Sequence, residues 1–280
     1  MRRPIRTAAL TGAASALVLG VAVASLSTGS ATASSTVHNT RAIGLSADGT
    51  QVSAFRTNVP RTAEAPQTIT GLVGDTRLVG IDQRVANGLL YGVGNQGGLY
   101  TLAGPVATKV GTLSVPLAGT AFGVDFNPAA DRLRIISNTG QSLRHNFGDG
   151  VTAVDTGPNY TAGTPVQGIQ ASAYTNNDSS ASTGTTLYNI DATLDQLVMQ
   201  VPANAGTLTL VGKLGIDLTT VTSFDIDTEL KGGQADENIA YFVGSGPGTP
   251  NSLVRIDLLT GVADRVGPLN GIADIAVVQG

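Results

Sequence analysis

The 280-residue sequence has no cysteine, no tryptophan and two histidines, and 13% of it is charged. Without cysteine there is no disulfide framework, thiolate zinc site, iron–sulfur cluster, cysteine nucleophile or lipid-bearing cysteine. Six Tyr and six Phe with no Trp make a poor stacking platform for bases or sugars. A formal charge of −4 argues against nucleic acid as a partner. His38 and His145 cannot build a multi-histidine metal centre. The sequence also lacks a G-x-S-x-G elbow, so a serine hydrolase of that kind is not expected.

What is present begins with an export signature. Arg2, Arg3 and Arg6 give a basic start, Ala8 to Leu26 runs without a charge, and small residues lead to Ala31-Thr32-Ala33. Basic, apolar and A-x-A regions in that order predict a signal peptide over residues 1–33. Gly12, Gly20 and the Ser/Thr content disfavour a retained anchor. Arg2-Arg3 without the flanking residues of the twin-arginine pattern leaves the export route open. Cleavage after Ala33 takes the formal charge to −7 over the remaining 247 residues, a length suited to one large domain. The expected organisation is a signal peptide over 1–33, a disordered leader over 34–40 and one domain over 41–280. The expected product is secreted, extracellular, monomeric and free of the membrane.

Beyond Ala33 the apolar residues alternate with period two, as in Leu89-Leu90-Tyr91-Gly92-Val93 and Leu253-Val254-Arg255-Ile256. Turn signals such as Ala86-Asn87-Gly88 and Asn138-Thr139-Gly140 separate the runs. A unit then recurs. It opens on Val79-Gly80-Ile81-Asp82, Phe122-Gly123-Val124-Asp125, Ser172-Ala173-Tyr174 and Ser223-Phe224-Asp225, and closes on Val-Gly-x-Leu, as at Val110-Gly111-Thr112-Leu113. Four short strands in units of about 40–50 residues predict an all-β β-propeller. Asp274-Ile275-Ala276-Val277-Val278 opens a further blade with nothing after it, and Ala42–Leu45, Gln51–Phe55 and Gln67–Leu72 supply what it lacks. The expected ring has five blades of four antiparallel strands, closed by one blade shared between the termini. A flat β-sandwich is the competing fold. Gly44, Gly80 and Gly123 are expected where strands crowd the axis. Gly92-Val93-Gly94-Asn95-Gln96-Gly97 spells G-x-G-x-x-G, but no helix follows to hold a pyrophosphate.

Gly123-Val124-Asp125-Phe126-Asn127-Pro128, Arg132-Leu133-Arg134-Ile135-Ile136-Ser137 and Ala173-Tyr174-Thr175-Asn176-Asn177, with Leu78–Asp82 and Leu187–Asp191, are distinctive. From Ala42 to the C-terminus the chain resembles the bacterial exported family known as domain of unknown function 4394. The resemblance implies an exported, repeat-built β domain and carries no activity with it. Gln83-Arg84 is shifted one place from that family's usual arginine, and His145 stands where an apolar residue is common.

Aligning the unit openings sets Asp82, Asp125, Tyr174, Asp225 and Ala276 at equivalent positions near the axis. Asn127, Asn176 and Asp227 follow two residues on. Crowded carboxylates raise one another's pKa or recruit a cation such as Ca²⁺. Paired carboxylates also suit glycosidic-bond chemistry. The plainer reading is that these Asp and Asn accept backbone N–H groups and hold turns. Asp82, Asp125 and Asp225 are the metal candidates; no other cofactor is expected and no catalytic residue is assigned. Arg134, with Arg144 in the same blade, could hold an anion at the channel or pair with Asp125 or Asp131, and the pair is favoured. Tyr174 and Asn176 offer a phenol and an amide near the same mouth. The segments 175–185 and 228–238 read as candidate mobile excursions. The leading function is a non-catalytic extracellular binding or scaffold protein for a ligand or protein partner. The alternatives are a hydrolase or lyase using the channel carboxylates, with or without Ca²⁺, and a structural module of the cell wall.

Overall fold

The computed structural model describes residues 38–178, 180 and 182–279, so the signal peptide expected over 1–33 and residues 34–37 of the leader lie outside the described residues. Strands follow the alternating pattern. β1 (Arg41–Ser46), β2 (Gln51–Arg56) and β3 (Gln67–Thr68) come first. The first whole blade is β4 (Leu78–Arg84), β5 (Leu89–Gly94), β6 (Gly98–Ala103) and β7 (Val106–Thr112). The second is β8 (Phe122–Asn127), β9 (Arg132–Ser137), β10 (Ser142–His145) and β11 (Thr152–Asp155). The third is β12 (Ile169–Tyr174), β13 (Leu187–Asp191), β14 (Gln196–Gln200) and β15 (Leu208–Lys213). The fourth is β16 (Thr220–Lys231), β17 (Gln234–Gly246), β18 (Thr249–Ile256) and β19 (Ala263–Pro268). β20 (Ile272–Val278) completes the chain.

These strands form five four-stranded antiparallel sheets, the blades of a five-bladed β-propeller. The fifth sheet has the order β20-β1-β2-β3, so the last strand is the innermost strand of a blade begun by the first three. Its register sets Ile43 opposite Ala276 and Arg41 opposite Val278. The alternation explains the packing. In β8, Phe122, Val124 and Phe126 turn one face toward Tyr91, Val93 and Leu99 of the first whole blade. In β12, Ala171 and Ala173 face Val221, Phe224 and Ile226 of the fourth. Each blade thus buries its two faces against its two neighbours, and the hydrophobic core is distributed around the ring rather than gathered in one place.

Glycine permits the inner strands to approach. A Cβ at Gly123 would lie 2.8 Å from the Ser172 backbone nitrogen, and one at Gly80 would collide with the Val124 side chain. The G-x-G-x-x-G segment is a hairpin turn between β5 and β6, closed by Gly97 N–H donating to Gly94 O at 2.9 Å.

Two expectations change. His38, Asn39 and Thr40, assigned to a disordered leader, are docked: His38 is buried, its Nδ1 lies 2.9 Å from Glu229 Oε1, and Thr40 Oγ1 donates to Asp227 Oδ2 at 2.6 Å. The acceptors come from the hairpin β16–β17, whose 12- and 13-residue strands are the longest of the described chain. That hairpin replaces the excursion expected over 228–238. It is tied to the next candidate excursion: Asn177 N–H donates to Thr228 Oγ1 at 3.0 Å and Ala235 N–H to Asp178 Oδ2 at 3.1 Å.

Candidate functional site

The innermost strand of each blade is the edge of its sheet, so its outward N–H groups have no strand to bond. Carboxylates from the preceding blade accept them. Asp82 Oδ2 takes Phe126 N–H at 2.6 Å, and Asp125 Oδ1 takes Tyr174 N–H at 3.1 Å. Asp225 Oδ2 takes Val277 N–H, and Asp274 Oδ2 takes Ile81 N–H at 2.7 Å. Four of the five junctions are joined this way. The junction from the third blade to the fourth is not, because Ala173 stands where β4, β8 and β16 carry Asp82, Asp125 and Asp225, and Ala171 stands where β20 carries Asp274.

That register corrects the alignment at one place. Tyr174 N–H sits where Phe126 N–H does, so Tyr174 is equivalent to Phe126 and Ala173 to Asp125. A one-residue offset turns a side chain to the opposite face. Tyr174 accordingly leaves the axis and packs with Ile136, Leu187 and Val198 between the second and third blades.

The structure brings Asp82, Asp125 and Asp225 together, with one carboxylate oxygen of each within 4.8 Å of the others, and all three are buried. None is among the ion pairs of the described residues. Burial, then the Asp225 charge, pushes the Asp82 carboxyl well above its ordinary value. Burial and the Asp82 and Asp225 charges do the same to Asp125. Burial raises Asp225 to about 7 against the backbone N–H groups of Val277 and Ile226. Asp274, a residue that motif alignment passed over, joins them. Burial raises it to about 7, opposed by hydrogen bonds from Ser223, Ile81 and Ile275. Its Oδ1 accepts from Ser223 Oγ at 2.6 Å. Asp274 lies two residues before Ala276, so an alignment keyed on Ala276 shows no acid in β20.

Where the inner strands begin, a hollow of about 180 Å³ lined by Arg77, Val79, Ala121, Thr222 and Asp274 opens onto this group. At the other end, Gln279 links the shared blade to both neighbours: its N–H donates to Gln83 Oε1 at 2.8 Å and its Nε2 to Thr228 O at 3.1 Å. The remaining candidates lie apart from the triad's hydrogen bonds. Asn127 Oδ1 accepts Ala130 N–H at 2.8 Å and holds the turn into β9. Asn176, with φ +63°, accepts from Asn238 Nδ2 at 2.8 Å. Asp227, raised chiefly by burial, is engaged by Thr40.

Arg134 is 1% exposed and does not enter the channel, nor does it pair with Asp125 or Asp131. Its Nη1 donates to Asp155 Oδ2 at 2.7 Å and to Ser142 Oγ at 3.0 Å, its Nη2 to Asn204 Oδ1 at 2.6 Å, and its Nε to Tyr174 Oη at 3.3 Å. Arg144 Nε reaches the same Asp155 oxygen at 3.0 Å. Asp131 instead takes Arg84, whose Nε donates to Oδ1 at 2.6 Å, and this hydrogen bond lowers the Asp131 carboxyl below its ordinary value. The reason is register. Arg134 lies opposite Asp125 across β8 and β9 and shares its face toward the third blade, where Tyr174 and Asn204 meet it. His145 is likewise a packing residue, buried against Phe147 with Nδ1 3.0 Å from Thr152 Oγ1.

The chain belongs to the family described as Domain of unknown function (DUF4394), which matches residues 51–276. No curated protein matches it. Among solved structures, it is similar to a structural-genomics protein of unknown function from Bacteroides thetaiotaomicron VPI-5482, at 13% identity and TM-score 0.48 over 85% of this chain and 64% of that one. It is also similar to TolB from Acinetobacter baumannii, at 12% identity and TM-score 0.47 over 83% of this chain and 54% of that one. The chain therefore spans less than two thirds of either structure.

Proposed function

We propose that this DUF4394 propeller is an exported, monomeric, non-catalytic binding protein. One observation carries the non-catalytic part. Asp82, Asp225 and Asp274 each have both carboxylate oxygens occupied by hydrogen-bond donors of the chain itself. A general acid or base needs an oxygen within hydrogen-bond reach of substrate. One oxygen of Asp82 and of Asp225 takes the next N–H of its own strand, and the other, like both oxygens of Asp274, takes a donor of a neighbouring blade, so the acids tie adjacent blades together. The basic start, apolar stretch and Ala31-Thr32-Ala33 support export. Expression of the full chain in a bacterial host is expected to release a protein that begins at Ser34. Retention of residues 1–33 in the cell envelope overturns the export part. The purified protein is expected to turn over no nitrophenyl ester or glycoside. Turnover that Asp125→Asn abolishes overturns the non-catalytic part.

A second reading has its own observation. Asp125 accepts one hydrogen bond, at Oδ1, among the described residues, and three carboxylates converge with none of them in an ion pair of the described residues. Oxygen ligands so placed suit Ca²⁺ and would support a Ca²⁺-assisted hydrolase or lyase. Ligand binding to the folded state raises the melting midpoint. On the binding reading, millimolar Ca²⁺ or EDTA at pH 8 is expected to leave the midpoint unchanged. A rise with Ca²⁺ that Asp125→Asn removes favours the metal.

A further inference from the structure

The shared blade has a short fourth strand. β3 pairs only at Gln51–Thr68 and Val52–Gln67, whereas β7 covers β6 along six register positions. Outward of that gap, the shared blade and the first whole blade part to leave a cleft of about 360 Å³. Its walls are Ile43, Val52 and Val278 on one side and Leu89, Leu90 and Leu102 on the other. Leu89 is 48% exposed. Arg41 and Glu64 also line the cleft, and both line the smaller adjoining hollow of about 150 Å³. Both are exposed, and neither is in an ion pair among the described residues.

The geometry points to this cleft as a site for a short apolar peptide with free termini, of dipeptide size. The inference deepens the binding reading above and rests on it. The volume is in the small-ligand range rather than that of a polymer groove. Aliphatic walls take apolar side chains, and their burial supplies the affinity. The charged groups set the rest of the chemistry. A simple anion would meet Glu64 and a simple cation Arg41, each with like charge. A zwitterion matches both, its carboxylate toward the Arg41 guanidinium and its ammonium toward the Glu64 carboxylate. Ser53 and Gln67, also in the lining, offer partners for the peptide amide.

Isothermal titration with leucyl-leucine tests the inference. Saturable binding is expected, at least tenfold weaker for N-acetyl-leucyl-leucine and for leucyl-leucinamide, and undetectable for glycylglycine. Arg41→Gln is expected to abolish the discrimination against the amide while keeping that against the acetyl form, and Glu64→Gln the reverse. Both side chains are exposed, so unchanged melting midpoints are expected and verify that the variants fold. No saturable heat with leucyl-leucine at millimolar concentration overturns the inference, as does equal affinity for the capped forms. The broader binding reading fails on a different result, the Asp125-dependent turnover described above, so the two failures are distinguishable.

Discussion

Arg134→Ala is expected to lower unfolding free energy by roughly 3–5 kcal/mol, read as a lower urea midpoint, because it removes one partner of a buried ion pair. The guanidinium joins four side chains from two blades: Asp155 and Ser142 of its own, Tyr174 and Asn204 of the next. Removing it leaves Asp155, 8% exposed at its side chain, with Arg144 as its remaining cation. Burial raises the Asp155 carboxyl, and hydrogen bonds from Arg144 and Arg134 outweigh it and bring the group below its ordinary value. The Arg134 part of that compensation disappears with it. Asp155→Asn in the same background is expected to lose less than it does alone, with a coupling of about 0.5–3 kcal/mol. A loss below about 1 kcal/mol for Arg134→Ala, the level of an exposed pair, would show that the network does not hold the second and third blades together.

The other large effect is an inverted pH profile. Asp225 and Asp274 have carboxyls raised to about 7, so the folded state binds more protons than the unfolded chain across the interval from about 4 to about 7. The stability contribution is therefore full below the unfolded value and is lost as pH rises through the folded one. Asp82 and Asp125 shift in the same direction. For Asp225 and Asp274 the rise from about 4 to about 7 corresponds to on the order of 4 kcal/mol each. The melting midpoint in EDTA is expected to fall steadily between pH 5 and pH 8, opposite to the acid denaturation of most proteins. Asp274→Asn, which holds that position permanently neutral, is expected to flatten part of the slope. A midpoint that climbs over the same range sinks the assignment.

Much of this architecture was legible because it is periodic. The alternation of Phe122, Val124 and Phe126, the recurrent Val-Gly-x-Leu and the unfinished strand at Asp274–Val278 each follow from local rules of strand pairing. They led to five blades and to a shared closing sheet. The triad Asp82, Asp125 and Asp225 was legible for the same reason, since equivalent positions in a ring face one axis. What escaped was non-periodic. The third opening has no acid, so aligning the openings sets Tyr174 against Asp125, and nothing in a single strand distinguishes one face from the other when Ala173 and Tyr174 are neighbours. Sequence argument offers Arg134 two acids, Asp125 and Asp131, whereas its partner Asp155 lies two strands away, fixed by register alone. The docking of His38–Thr40 depends on an extended hairpin that no other blade has. The cleft arises from a strand that ends early, a shortfall that composition does not record.

The seam between β20 and β1 has a consequence for biogenesis. Ile43 is among the earliest residues of the propeller to be synthesised, and its partner Ala276 among the last. Four sheets can assemble from contiguous sequence as the chain lengthens, yet the ring cannot lock until β20 has been made. Until then β1 offers an unpaired edge to any other extended chain, the condition under which multi-sheet proteins misassemble. A nascent polypeptide stalled before β20 would thus be a folded arc with one sticky end, vulnerable to proteases and chaperones in a way that the closed circle is not.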